Sequence, residues 1–431
     1  MAFAMASLSL LAEVSPKQYR TVPGERGTPC PQRNCWGEYR SNYSLHFAEY
    51  KDNGSAWNPQ QMTDALDTIR TEKEKKGYAF VLVYVHGWKH SASGSPEDSD
   101  VTQFKRLLDD VSMLSNKGSP LPLVGVYIGW RGKSMATQSQ LLSIPSYWGR
   151  RNTARSVGVK DLQTDLAKLT ELAHGGETGK STQIIVVGHS MGARVVENAL
   201  AEINRKWLDA NQFRRNGAEV SRPPADLVVY LNAATPSTLT RRTLNRLRKD
   251  GDVVKRHPHY SAGRCHTGNA STPECRAYPI FMAITSSGDW ETRFLMPFAN
   301  FIGPVGLHAW HLLSAAATPS LRSHRLKPIA GPSPPGTEKP GEVCAENKRT
   351  KDEDCYFLES LPSAPPNKSA SFWIAKVSRK ISENHTDIWN KELWGMLSSL
   401  LPQQGEPLPS NRVPPRPPPP PPPPPQLYRP Q

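Results

Sequence analysis

The sequence predicts an α/β fold: a mostly parallel central sheet flanked by helices on both faces, with two long insertions and a disordered proline-rich C-terminal tail. Three observations predict it. Short apolar, β-branched runs alternate with helix-compatible stretches along most of the chain, the pattern of strands joined by crossover helices. With 431 residues, 37% of them hydrophobic, the chain can build one large core or two smaller ones. The run Ile184-Ile185-Val186-Val187 leads into Gly188-His189-Ser190-Met191-Gly192, and a helix-compatible stretch from Ala193 to Leu200 follows. That strand–turn–helix context is where a Gly-x-Ser-x-Gly motif carries chemistry.

Residues 43–50 read as a strand that ends in the turn Lys51-Asp52-Asn53-Gly54. Residues 60–75 read as helix. Residues 79–85 are apolar throughout, as a strand buried on both faces must be. Helix is expected over 101–114, strand over 123–128, and a helix within 153–173. Strand 183–187 and helix 191–207 flank the serine motif, and further strands are expected at 226–231, 279–285 and 372–377. The last element is an amphipathic helix over 387–401, with Ile388, Trp389, Leu393, Met396, Leu397 and Leu400 on its apolar side.

These elements define a domain of residues 41–402, preceded by an N-terminal extension of residues 1–40 and followed by a tail of residues 403–431. Residues 3–14 are mildly apolar but lack a basic flank. They read either as the end of a signal segment or as a flexible N-terminus. Insertion 235–278 is basic and insertion 317–368 is rich in proline. Stretches this long without structure are usually functional or disordered. A lid or the rim of a substrate site is therefore expected of them. The tail contains nine consecutive prolines, Pro417 to Pro425, the composition of polyproline II. It reads as a stiff tail, or as a ligand for a polyproline-binding partner.

The formal charge is +14, and much of it is local. Arg241, Arg242, Arg246, Arg248, Lys249, Lys255 and Arg256 all fall in segment 241–256. That segment is either a solvated charged helix or a contact for an anionic surface such as lipid or envelope polymer. No nucleic-acid-binding motif accompanies it, so no nucleic acid is expected as a partner. No run of about 20 apolar residues occurs, so no transmembrane helix is expected. The six cysteines form three local pairs, Cys30/Cys35, Cys265/Cys275 and Cys344/Cys355, in polar, Pro/Gly-rich stretches. Disulfides and a periplasmic or secreted location are favoured. Six free thiols in the cytoplasm are the other reading. No Cys-x-x-Cys spacing suits zinc, and His86 and His90 lack a third ligand. Neither metal nor cofactor is expected.

A serine nucleophile needs a base, and the base needs an acid to orient it. On such sheets the chain order is serine, acid, histidine, each after a strand. Past Ser190, the first strand end offers Asn232, which cannot ionise. The next offers Asp289, with Glu291 as runner-up. The last strand is followed by His385. His308, His311 and His324 have no strand leading to them. An oxyanion hole needs two N–H groups. Met191, after the nucleophile, is one candidate. Trp88, after the strand end Val85-His86-Gly87, is the other, with the His86 side chain read as pinning that loop. Gly188 and Gly192 are expected where side chains would collide as strand and helix close on each other.

In this order of strand, His86-Gly87-Trp88, Gly188-His189-Ser190-Met191-Gly192, Asp289 and His385, the chain resembles the α/β-hydrolase superfamily. Within it, the chain is similar to poorly characterised serine esterase/lipase-like members whose early strand ends in an acidic-Gly turn, here Asp52-Asn53-Gly54. The resemblance implies Ser190 as nucleophile, His385 as base and Asp289 as acid. It implies ester, lipid or thioester hydrolysis, with a small-molecule or lipid ester as substrate and without a cofactor. An acyltransferase or amidase would use the same acyl-enzyme. An inactive scaffold acting as an envelope-associated interaction protein would share the fold.

Overall fold

The computed structural model describes residues 36–93, 99–112, 122–132, 144–174, 182–212, 223–249, 279–292, 313–334, 339, 341–346, 353–361 and 371–400. The strands are β1 (Gly37–Tyr39), β2 (Tyr43–Tyr50), β3 (Ala79–Val85), β4 (Leu123–Trp130), β5 (Thr182–His189), β6 (Leu227–Leu231), β7 (Phe281–Ser286), β8 (His324–Ile329), β9 (Val343–Glu346), β10 (Glu353–Ser360) and β11 (Phe372–Val377). The helices are α1 (Pro59–Lys76), α2 (Asp100–Ser112), α3 (Ile144–Gly158), α4 (Asp161–His174), α5 (Met191–Gln212), α6 (Ser237–Lys249) and α7 (Lys391–Ser398).

One sheet collects the strands in the order β1-β2-β4-β3-β5-β6-β7-β11-β8-β10-β9. Every pairing from β2 across to β8 is parallel, while β1, β10 and β9 are added antiparallel at the two edges. The period of two assigns the two faces. Val81, Val83 and Val85 of β3 join a core cluster with α1, α3, α4, α5 and α6. Phe80, Leu82 and Tyr84 join a second cluster with α2 and α7. Both faces of β3 are covered, which is why the run carries no polar residue.

β4 returns to one side of β3, and β5 lies on the other. The strand order therefore reverses at the β3/β5 boundary. In open parallel sheets, ligands bind beyond the C-terminal strand ends at such a switch point. The ends of β3 and β5 carry the His86-Gly87 turn and Ser190.

Four differences from the sequence reading have physical causes. The helix expected within 153–173 is two helices, α3 and α4. The break is fixed by the Gly54 turn: Asp161 N donates to Gly54 O at 3.3 Å, and Asp161 Oδ2 accepts from Ala56 N at 2.8 Å. Gly54 itself has φ +83°, and a side chain there would strike Ser156 O. The last helix begins at Lys391 rather than 387, because Asn390 caps it, its side chain accepting from Leu393 N at 2.8 Å. Ile388 and Trp389 still pack into the core, but from the preceding turn. The sheet reaches into the supposed N-terminal extension, since β1 pairs with β2; three residues with no apolar alternation give no strand signal.

The fourth difference concerns the insertions. The described part of insertion 317–368 builds β8, β10 and β9, which widen the sheet beyond β11. Cys344 and Cys355 are register partners on β9 and β10 and form a disulfide. These strands are an extension of the sheet edge and not a lid. In insertion 235–278, α6 buries Leu244 and Leu247 while Arg242 and Arg246 are exposed. Residues 1–35, the Cys30/Cys35 and Cys265/Cys275 pairs, the basic residues beyond Lys249 and the proline tail lie outside the described residues. Among the described residues, no helix is long and apolar enough to cross a membrane.

Candidate active site

Ser190 stands at the turn between β5 and α5 with φ +53°, a left-handed conformation that costs a β-carbon residue energy unless its surroundings enforce it. They do so here through the main chain. Ser190 N donates to Leu231 O at 2.9 Å, and Ala234 N donates to Ser190 O at 3.0 Å. The elbow is thus tied to the end of β6. Both flanking glycines are sterically required. A side chain on Gly188 would strike Ala193 Cα, closing strand against helix as expected. A side chain on Gly192 would instead strike Val85 O and His86 O, so this glycine lets α5 press on the end of β3.

The structure brings Ser190, His385 and Asp289 together. His385 Nε2 lies 2.8 Å from Ser190 Oγ, and His385 Nδ1 lies 3.0 Å from Asp289 Oδ1. Asp289 is 1% exposed. It also accepts from Thr292, whose N donates to Oδ1 at 3.0 Å and whose hydroxyl donates to Oδ2. A carboxylate accepts only, so the proton on Nδ1 belongs to His385 and Nε2 is left to accept from the serine hydroxyl. That is the tautomer a general base requires.

The loop bearing His385 is stiff by its own hydrogen bonds. Asn384 Oδ1 accepts from Thr386 N at 3.0 Å and Asp387 N at 3.1 Å, and Ser382 Oγ donates to Asp387 O at 2.8 Å. It also packs on the loop of Asp289: a side chain on Gly288 would strike Glu383 O, and Ser286 Oγ donates to Ser382 O.

At the end of β3, His86 has both nitrogens occupied. Nε2 accepts from Trp130 N at 3.0 Å, so Nδ1 carries the proton and donates to Gly87 O at 2.9 Å. The ring is stacked between Tyr127 and Trp130. This imidazole pins the loop and has no lone pair for a metal. Gly87 approaches the elbow so closely that a Cβ on it would lie 3.0 Å from both Ser190 Cβ and His189 Nδ1. Trp88 follows, half-buried against the core, and Met191 is buried at the first position of α5.

Asp289, Glu291 and His385 each bring one potential ligand atom to within 4.8 Å of the others. Both Asp289 oxygens and both His385 nitrogens are already engaged in the chain of hydrogen bonds ending at Ser190. Glu291 stands outside that chain. His324, which no strand leads into, opens β8, stacks on Trp373 at 4.1 Å, and is held by burial at a pKa of about 4. His308 and His311 lie outside the described residues.

Two residues at the site escaped the sequence reading. His189 Nε2 lies 2.9 Å from His385 O, and Asn232 Nδ2 lies 2.9 Å from the same oxygen. Burial above all, then the neighbouring His385, His90 and His86, push the His189 pKa well below the ordinary histidine value. Asn232 was set aside because it cannot ionise, and its use as a hydrogen-bond donor leaves no pattern in the sequence.

No family model matches the chain, and no curated protein matches it. Among solved structures, the chain is similar to phospholipase PlaB from Legionella pneumophila in complex with thio-NAD, at 12% identity and a TM-score of 0.27. That match covers 75% of this chain and 58% of the phospholipase chain, so this chain spans under two thirds of its length. It is also similar to Zea mays acyl-protein thioesterase 2, at 13% identity and a TM-score of 0.21, covering 49% of this chain and 72% of that one. Likeness this slight carries no statement about chemistry, which rests on the residues themselves.

Proposed function

We propose that the chain is a serine hydrolase that cleaves carboxylic esters through an acyl-enzyme. The observation that carries the reading is the unbroken hydrogen-bonded line from Ser190 Oγ through the His385 ring to Asp289 Oδ1. His385 Nε2 takes the hydroxyl proton as Ser190 Oγ attacks the carbonyl carbon. The imidazolium that forms is held by the Asp289 carboxylate. The tetrahedral oxyanion is assigned to the N–H groups of Met191 and Trp88, which follow the two turns that Gly87 brings into contact. Collapse breaks the C–O bond, and His385 returns the proton to the leaving alcohol. Water then attacks the acyl-enzyme with His385 again as base, which regenerates Ser190.

Ser190→Ala tests the reading. Turnover of a p-nitrophenyl ester should fall to background while the circular dichroism spectrum and unfolding midpoint stay those of the parent. A variant that folds and keeps the parent rate would sink it.

A further inference from the structure

Sheet order poses a problem for the base. Ser190 follows β5, Asp289 follows β7 and His385 follows β11, and the strands lie in the order β5-β6-β7-β11. The imidazole must therefore reach past the end of β6, which contributes neither nucleophile, acid nor base. What β6 contributes is Asn232, the residue after its last strand position.

Asn232 is used at both ends of its amide. Nδ2 donates to His385 O at 2.9 Å and approaches Asn384 O at 3.3 Å, while Oδ1 accepts from Ser286 N at 2.9 Å. One side chain thus joins the base's main chain to the end of β7, three residues before the acid. Asn232 holds φ +44° to do this, a conformation asparagine tolerates better than most residues. The second donor comes from the other direction. His189 closes β5, one residue before the nucleophile, and its Nε2 meets the same carbonyl at 2.9 Å. Its Nδ1 is buried with no hydrogen-bond partner among the described residues, so the ring's one proton lies on Nε2.

A neutral ring at this place has a further consequence. The His189 and His385 ring centroids are 5.0 Å apart. When His385 takes the serine proton, a second cation at that distance would oppose the imidazolium. Burial keeps His189 neutral, so it can hold the carbonyl without that repulsion.

We propose that His189 and Asn232 are paired positioning residues that clamp the His385 carbonyl from the β5 and β6 ends and so fix the imidazole in line between Ser190 Oγ and Asp289. This rests on the serine-hydrolase reading above. Misplacing a catalytic group by about 1 Å costs on the order of 100-fold in rate, so a clamp on the base's own backbone has leverage.

The test compares His189→Gln, whose Nε2 stands where the imidazole donor was, with His189→Leu, which has no donor, and with Asn232→Gly, which tolerates the positive φ. Each is made in the full chain. The readouts are the second-order rate of fluorophosphonate reaction at Ser190, kcat/KM for a p-nitrophenyl ester, and the unfolding midpoint. His189→Leu and Asn232→Gly should each lose about 10–100-fold in both rates while remaining folded. His189→Gln should recover to within about threefold of the parent, as a restored donor predicts. The proposal is overturned if His189→Leu and Asn232→Gly keep the parent rates, or if His189→Gln is as impaired as His189→Leu. A parent chain that never reacts with the fluorophosphonate would be a different failure, that of the hydrolase reading itself.

Discussion

Ser190 Oγ and His385 Nε2 lie 2.8 Å apart across 195 positions of sequence. The contact is a product of the sheet. Parallel strands place their C-terminal ends on one edge, and each end delivers one short loop. Ser190, Asn232, Asp289 and His385 leave four strands that are neighbours in the order β5-β6-β7-β11.

Asp289→Asn should lower kcat by roughly 10³–10⁴-fold with little loss of stability. The amide keeps the shape but can donate toward Nδ1, which favours the wrong imidazole tautomer. Steady-state kinetics on a p-nitrophenyl ester measures the drop. An unchanged kcat would remove Asp289 from the line and turn attention to Glu291.

Gly192→Ala should destabilise the fold by about 1–3 kcal/mol and slow reaction at Ser190, because the new methyl meets Val85 O and His86 O, backbone atoms with nowhere to go. Denaturant unfolding gives the first quantity and fluorophosphonate kinetics the second. Gly77→Ala is the contrasting case. No atom of the described residues lies within 4 Å of the added Cβ, so its cost should come from the αL backbone alone.

Glu197 is buried and its pKa is raised to about 7, chiefly by burial, although Thr235 and Thr240 hydroxyls donate to it. The folded state binds this proton more tightly than the unfolded state does. Its contribution is therefore complete below the ordinary carboxyl pKa of about 4.5 and is lost as pH rises through about 7. Parent minus Glu197→Gln unfolding free energy, measured from pH 4.5 to 8, should fall across that window by at most a few kcal/mol. A flat difference contradicts the assignment.

His46 titrates in the opposite sense. Burial lowers its pKa to about 4, and both ring nitrogens are buried without hydrogen-bond partners among the described residues. The unfolded state binds the proton better, so stability is lost as pH falls from about 6.5 toward 4. His46→Leu should remove that loss and raise stability more at pH 5 than at pH 8, as read from thermal midpoints. Equal shifts at the two pH values would contradict it.

Reducing the Cys344–Cys355 disulfide should lower the unfolding free energy by about 2–4 kcal/mol. It should leave fluorophosphonate reactivity unchanged, because β9 and β10 lie at the edge of the sheet, past β8 and away from Ser190. Loss of reactivity on reduction would show that the edge strands support the site.

Much of this architecture is legible in the sequence, and the reason is periodicity. The bounds of β2, β3 and β11 are legible to the residue because alternating or apolar runs end sharply at turn residues or polar ones. Residues 190, 289 and 385 were legible because each follows a strand in the order such sheets require. Legibility failed where tertiary contacts decide. β1 exists only because β2 offers it an edge. β8 is largely polar and carries Pro328, β9 is only four residues long and β10 is acidic at both ends, and pairing with β11 and with one another makes them strands. The α3/α4 break is set by the Gly54 turn, far away in sequence. His189 and Asn232 act through donors that any exposed residue of their type also has; only coordinates show that both meet His385 O.

The central claim is that Ser190 is the nucleophile of an acyl-transfer site. The most direct measurement is peptide mapping by mass spectrometry after reaction with a fluorophosphonate. One adduct is expected, on Ser190 in the native parent chain, absent after denaturation before labelling and absent in His385→Ala. No adduct on folded protein, or an adduct equally abundant on other serines and in the denatured chain, would contradict it.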